Sequence, residues 1–120
     1  MLKINVLKVF LNRLRDRGWK NLNVRGFTDN ETQVLVKGVR TIVVIEQINI
    51  DASVDILSLV NDYFYELMNQ IKRNDTNIEL FLPGGGDIQL PDFFRQFCEE
   101  NNIHYHFIGL DNYQNYANFL

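Results

Sequence analysis

The chain of 120 residues is 46% hydrophobic and 12% aromatic, a composition that excludes a disordered chain and favours a single domain over residues 1–120. Its one cysteine excludes an intrachain disulfide, and no apolar run approaches the ~20 residues of a membrane-spanning helix, so we expect a cytoplasmic protein without a membrane contact. The net charge of −3 is unevenly distributed: residues 1–40 carry nine basic and three acidic side chains, whereas residues 41–120 carry three basic and twelve acidic ones. Such a division is typical of a basic surface for nucleic acid, or of two surfaces that attract each other.

The first predicted element is an amphipathic helix over residues 2–17. Gly18 is the predicted stop, because glycine adopts the left-handed backbone conformation that ends many helices. Basic residues near the end of this helix suit the negative pole of the helix dipole. The apolar side chains that recur at helical spacing are Leu7, Phe10, Leu11 and Leu14.

Three strands are predicted next. A short strand over residues 21–27 precedes a turn rich in Thr, Asp and Asn. Two β-branched runs, at residues 32–38 and 40–48, flank a Gly-Val step and predict a hairpin. The second run has four consecutive aliphatic residues before Glu46, so we expect it at the centre of the sheet.

The second half of the chain predicts helices that alternate with strands. The order αβββαβαβ implies an α/β (α+β) fold, with a mixed β-sheet that is flanked by helices and becomes parallel after the long helix. The predicted elements are a long helix over residues 51–73, a strand over 78–82, a glycine-rich turn over 83–87, a short helix that opens with Pro91, a strand over 103–110 and a C-terminal tail over 111–120.

This element order resembles the restriction-endonuclease-like (PD-(D/E)xK) superfamily, whose core is αβββαβ. Within it the chain is similar to the cyanobacterial excision-controlling-factor family and, more loosely, to archaeal Holliday-junction resolvases. The likeness rests on RDRGWKNLNV, the segment in which the first helix ends, on VVIE in the third strand, and on the closing segments IELFL, PDFFRQFCEE and IHYHFIGL. It covers residues 2–110 and implies a nuclease-like fold.

The resemblance also implies a divalent-metal site, with an acidic residue at the start of the second strand and E-x-K on the third. Alternate residues share one face of a strand, so such a pair can hold Mg²⁺ or Mn²⁺ and activate a water. Here Glu46 has no lysine at the matching position. We therefore expect a degenerate site that requires no cofactor. The alternative is a rearranged catalytic site of Glu46, Glu31, Asp29 and Lys37, in which Glu46 and Glu31 bind the metal.

Basic residues in the first third of the chain are the candidates for binding DNA or RNA. They could contact phosphates and release counterions, although an ordinary solvated helix face explains the pattern equally well. These residues are Lys8, Arg13, Arg15, Arg17, Lys20, Arg25 and Arg40.

Three further patterns have both a functional and a structural interpretation. The turn over residues 83–87 could bind phosphate, but it lacks the lysine of a Walker motif, and a mobile loop is favoured. His104 and His106 share one face of the last strand and could chelate a metal, yet alternating polar residues on an edge strand explain them as well. Cys98 is predicted to be a buried apolar residue and not a nucleophile.

The tail contains aromatic residues at intervals of three: Tyr113, Tyr116 and Phe119. We expect them to pack on the domain, and they are also the candidate residues for binding a partner protein or a second subunit of a homodimer.

Three functions remain open. The first is a nuclease-like fold without an intact metal site that binds nucleic acid, protein or both. The second is a metal-dependent nuclease with a rearranged site around Glu46. The third is a protein-interaction module, such as an immunity protein or an assembly subunit.

Overall fold

A computed structural model of the chain describes residues 6–23, 32–45, 64, 77–84, 90–109 and 113–119. The elements in these residues are α1 (Val6–Asp16), β1 (Lys20–Asn21), β2 (Thr32–Lys37), β3 (Arg40–Ile45), β4 (Ile78–Pro83), α2 (Asp92–Glu100), β5 (Ile103–Ile108) and a 3₁₀ helix (Tyr113–Phe119). The strands form one five-stranded mixed sheet in the order β1-β2-β3-β4-β5. The predicted α+β class and mixed sheet are confirmed.

The first three strands form an antiparallel meander, as predicted. In the β2–β3 hairpin Lys37 pairs with Arg40, and Gly38 adopts a φ of 61° in the turn between them. Strands β3, β4 and β5 are mutually parallel. β1 is shorter than the strand predicted over residues 21–27, and residues 24–31 lie outside the described part of the chain.

α1 ends as its sequence predicts. Gly18 has a φ of 94°, and its amide donates a hydrogen bond to the carbonyl of Arg15 at 3.1 Å. The next amide, that of Trp19, donates to the carbonyl of Leu14 at 3.0 Å. These bonds satisfy carbonyls in the last turn and direct the chain from the helix into β1.

The sheet separates two hydrophobic clusters. On one face the buried side of α1 packs against the central strands, and the rings of Phe10 and Phe81 lie 4.7 Å apart. On the other face α2 buries Phe94, Phe97 and Cys98. Phe64 completes this second cluster, with its ring 6.0 Å from that of Phe97. Residues 51–63 and 65–73 of the predicted long helix lie outside the described residues.

A tight turn joins α2 to β5. Asn102 adopts a φ of 54°, and its carbonyl accepts a hydrogen bond from the amide of Ile78 at 3.2 Å. The turn thereby sets the register in which Ile78 pairs with Ile103.

The 3₁₀ helix returns to the α1 face of the sheet. Tyr113 and Tyr116 pack against the cluster there, which confirms the predicted packing for these two residues. The side chain of Phe119 is not among those that the structure describes. No helix in the described residues is long and apolar enough to cross a membrane.

Candidate functional site

Five basic side chains gather at one end of the sheet, where α1 ends and β3 begins. All five are exposed. We call this surface the basic end, and it consists of Arg15, Arg17, Lys20, Lys37 and Arg40.

Backbone geometry brings these elements together. Lys20 pairs with Val36 on β2, next to Lys37, which in turn pairs with Arg40. The Cε atom of Lys37 lies 3.9 Å from the position that a Cβ atom at Gly18 would occupy. The end of α1, the start of β1 and the β2–β3 hairpin therefore form one continuous surface.

Arg40 and Arg15, two of the three arginines of the basic end, have defined side-chain contacts. The guanidinium of Arg40 lies over the Trp19 ring, 4.9 Å from its centroid, and Trp19 is only 2% exposed. The Nε atom of Arg15 donates to Oδ1 of Asn21 at 2.9 Å. Because neither contact neutralises charge, both guanidinium groups remain available to an anion.

Positive charge at the basic end has little compensation. Asp16 is the one acidic residue among the described residues between 6 and 45. Within the described part of the chain, none of the five cations forms an ion pair. Such an excess of one sign produces a positive potential that attracts polyanions.

The remaining nucleic-acid candidates lie apart from this surface. The Arg13 guanidinium lies 5.6 Å from the centroid of the Tyr113 ring, toward the 3₁₀ helix. Lys8 is exposed earlier on α1, and Arg25 lies outside the described residues. Lys37, in contrast, belongs to the basic end although the sequence suggested only a catalytic role for it. The two-residue turn between β2 and β3 places it opposite Arg40.

Most residues of the candidate metal site lie outside the part of the chain that the structure describes. Asp29, Glu31 and Glu46 are not among the described residues, so their catalytic role stays a prediction. Lys37 pairs with the first residue of β3, whereas Glu46 follows its last residue. The two ends of this six-residue strand are roughly 17 Å apart at the usual rise per residue.

A polar pair that the sequence did not indicate lies between β4 and β5. Nε2 of His106 lies 2.5 Å from Oε2 of Glu79, and the two side chains are 24% and 23% exposed. The His106 ring stacks on Phe81 with centroids 4.9 Å apart. Tyr116 contacts the same ring edge-on, and burial raises the pKa of its hydroxyl. The signal available in the sequence was a lone glutamate in IELFL, which gains meaning only from the β4–β5 pairing.

Two further residues that the sequence singled out are His104 and Cys98. His104 is exposed, and the described residues contain no group of three metal-ligating side chains. Cys98 is buried, as predicted, and burial raises the pKa of its thiol to about 12. A thiol with that pKa is not a thiolate nucleophile near neutral pH.

A groove of about 670 Å³ runs between α2 and β5. On the α2 side it is bordered by Arg95, Cys98 and Glu99, and on the strand side by residues 103–106. β5 is the last strand in the described sheet, so this groove faces a sheet edge.

We compared the chain with known protein families, curated proteins and solved structures. No family model, curated protein or solved structure matches the chain. Function therefore has to be inferred from the surfaces themselves.

Proposed function

We propose that the protein binds nucleic acid through the basic end, and that it does so with a restriction-endonuclease-like fold whose metal site is not intact. The observation that carries the proposal is the convergence of five exposed cations from α1, β1 and the β2–β3 hairpin without an ion pair among the described residues. Phosphates of a nucleic acid present the complementary charge at regular spacing.

The chemistry of the basic end suits a phosphate backbone more than a single small anion. The cations are spread along a strand end and a helix end, so they can contact successive phosphates. Arg40 is held in place by Trp19, which reduces the side-chain entropy lost on binding. Val39, at the tip of the hairpin between Lys37 and Arg40, is 81% exposed and offers an apolar contact for a sugar or base.

The proposed fold is supported by the order and direction of the strands. A helix precedes an antiparallel meander of β1, β2 and β3, and the next strand, β4, is parallel to β3. These directions agree with the mixed sheet that the resemblance implies.

Binding can be measured with a reporter inside the proposed site. Trp19 is the chain's one tryptophan and lies under Arg40, so phosphate contact at Arg40 is expected to change its fluorescence. Titrations with single-stranded DNA, duplex DNA and RNA at several salt concentrations give the salt dependence. If three or four cations each neutralise a phosphate, log K falls with log salt with a slope of about −3 on duplex DNA.

Variants of the basic end locate the contact. Arg17→Ala and Lys20→Ala are each expected to reduce the magnitude of the salt slope by about 1, with similar loss on all sequences. Lys8→Ala is the matched control, because Lys8 is an exposed cation earlier on α1, outside the basic end. Absence of salt-dependent binding to all three polymers would contradict the proposal and favour a protein-interaction module.

An experiment with divalent metal tests the proposal that the metal site is not intact. Each binding reaction is repeated with Mg²⁺ or Mn²⁺, and the polymer is examined for cleavage. We expect binding without cleavage. Cleavage that disappears in Glu46→Ala would establish the rearranged nuclease site instead, while leaving the role of the basic end in binding intact.

A further inference from the structure

Among the described strands, none pairs with the outer edge of β5. The Asn102 carbonyl accepts from the amide of Ile78 at 3.2 Å, and the Ile108 carbonyl accepts from the amide of Gly84 at 3.3 Å. In a parallel ladder alternate residues direct both backbone groups to the same neighbour, so even-numbered residues of β5 face β4. Ile103 and Tyr105 therefore turn their N–H and C=O groups to the outer edge.

The open part of this edge is short and has a defined limit. Phe107 is the next residue whose backbone groups face outward, and its carbonyl accepts a hydrogen bond from the Tyr116 hydroxyl at 3.3 Å. Among the described residues, none forms a hydrogen bond with the four outward groups of Ile103 and Tyr105. The edge thus offers two donors and two acceptors over residues 103–105.

We propose that this edge pairs with the same edge of a second copy of the chain, antiparallel and with a two-fold axis at His104. In that register Ile103 exchanges two hydrogen bonds with the partner's Tyr105, and Tyr105 exchanges two with the partner's Ile103. All four open groups of each copy are satisfied, and the bond between Tyr116 and Phe107 is kept. The two sheets become one continuous sheet.

The sequence of β5 lacks the features that usually prevent an edge strand from pairing with another chain. Exposed edge strands are usually protected by lysine, proline or a bulge, and IHYHFI contains neither residue and pairs with β4 without interruption. The groove between α2 and β5 provides room for an added strand. An isologous pairing of this kind is closed, because it occupies the same surface on both copies.

Charges on the groove wall are complementary under the same two-fold axis. Arg95 and Glu99 lie one turn apart on α2, and both border the groove. The axis reverses the direction of the partner's α2, so Arg95 of each copy approaches the partner's Glu99. Arg95 now pairs with Asp92. The two side chains are 47% and 91% exposed, so water screens this ion pair and exchanging the partner costs little.

The first test is the mass of the protein in solution by light scattering over a concentration series. The chain has a mass of 14.1 kDa, and we expect twice that value for the wild type. His104→Glu is expected to give a folded monomer, because two carboxylates would face each other about 5 Å apart across the axis. His104→Gln, the uncharged control, is expected to remain a dimer. Circular dichroism is the check that each variant is folded.

A charge exchange tests the register. Arg95→Glu and Glu99→Arg are each expected to weaken the dimer roughly fivefold to tenfold, and the double variant is expected to restore it. A double variant as weak as the single ones would overturn the proposed pairing. A wild type that is monomeric at all concentrations overturns the proposal. This holds even if the monomer binds an added extended peptide at this edge. A dimer that survives His104→Glu also overturns it, because the proposed two-fold axis lies at that residue.

Discussion

His106 and Glu79 form a hydrogen-bonded pair across two parallel strands, with 2.5 Å between Nε2 and Oε2. The pair lies on the α1 face of the sheet, where Phe81 and Tyr116 cover the imidazole ring. A polar pair in such surroundings contributes through its mutual hydrogen bond, since each side chain has lost about three quarters of its exposure to water.

Removing one member of this pair is therefore expected to destabilise the protein. Glu79→Ala removes the hydrogen bond between this carboxylate and the partly buried imidazole, and we expect the free energy of unfolding in urea to fall by about 1–2 kcal/mol. Glu100→Ala, which removes an exposed acceptor of Gln96, is the control and is expected to change stability by less than ~0.5 kcal/mol. A double variant with His106→Ala that loses the full sum of the two single effects would show that the residues are not coupled.

Phe81 is expected to be among the most sensitive positions in the core. Its ring contacts Phe10 on α1, His106 on β5 and Tyr116 on the 3₁₀ helix, and it is fully buried. Phe81→Ala should cost about 3–5 kcal/mol, because it removes these contacts and leaves a cavity. Phe93→Ala provides a matched comparison, since Phe93 is 40% exposed on α2. Equal shifts of the two urea midpoints would contradict this view of the core.

The two tyrosines of the 3₁₀ helix should respond differently to loss of the hydroxyl. Tyr116→Phe removes the donor to the Phe107 carbonyl and is expected to cost about 0.5–1.5 kcal/mol. The Tyr113 hydroxyl is buried without a hydrogen-bond partner in the described structure, so Tyr113→Phe is expected to be neutral or stabilising. Thermal unfolding of the two variants at one protein concentration measures the difference. The reverse order of stability would show that the Tyr113 hydroxyl has a partner in solution.

Cys98 gives a prediction about pH. Burial raises the pKa of its thiol from 9.0 to about 12, so the folded state holds the proton more tightly than the unfolded state. The resulting stability is fully present below pH 9 and is lost as the pH rises toward 12. A thiol reagent at pH 8 should leave the native protein unmodified and react with one equivalent in urea, because the chain has one cysteine. Rapid modification of the native protein would show that the thiol is accessible.

Local sequence patterns were sufficient to predict α1, the hairpin and the order of the described strands. The period of Leu7, Phe10 and Leu14 predicts which side of α1 is buried, and Gly18 predicts its end. Both features are decided by neighbours within about one helical turn, so the sequence contains them directly. The change from antiparallel to parallel strands was also predictable, because a long connection separates β3 from β4.

The candidate sites depended on which side chains meet across neighbouring strands. Lys37 belongs to the basic end because it pairs with Arg40, although its position near the end of the predicted second strand suggested a catalytic role. Glu79 meets His106 because β4 and β5 are adjacent and parallel. Residues 27 positions apart in the chain leave no periodic signal of such a contact.

The turn at Asn102 has a consequence for how the chain can change during evolution. Its length determines that His104 and His106 face α1 while Ile103 and Phe107 face α2. Inserting or deleting one residue there would exchange the two faces, burying imidazoles beneath α2 and turning a phenylalanine toward Glu79. The turn should therefore tolerate a substitution better than a change in its number of residues.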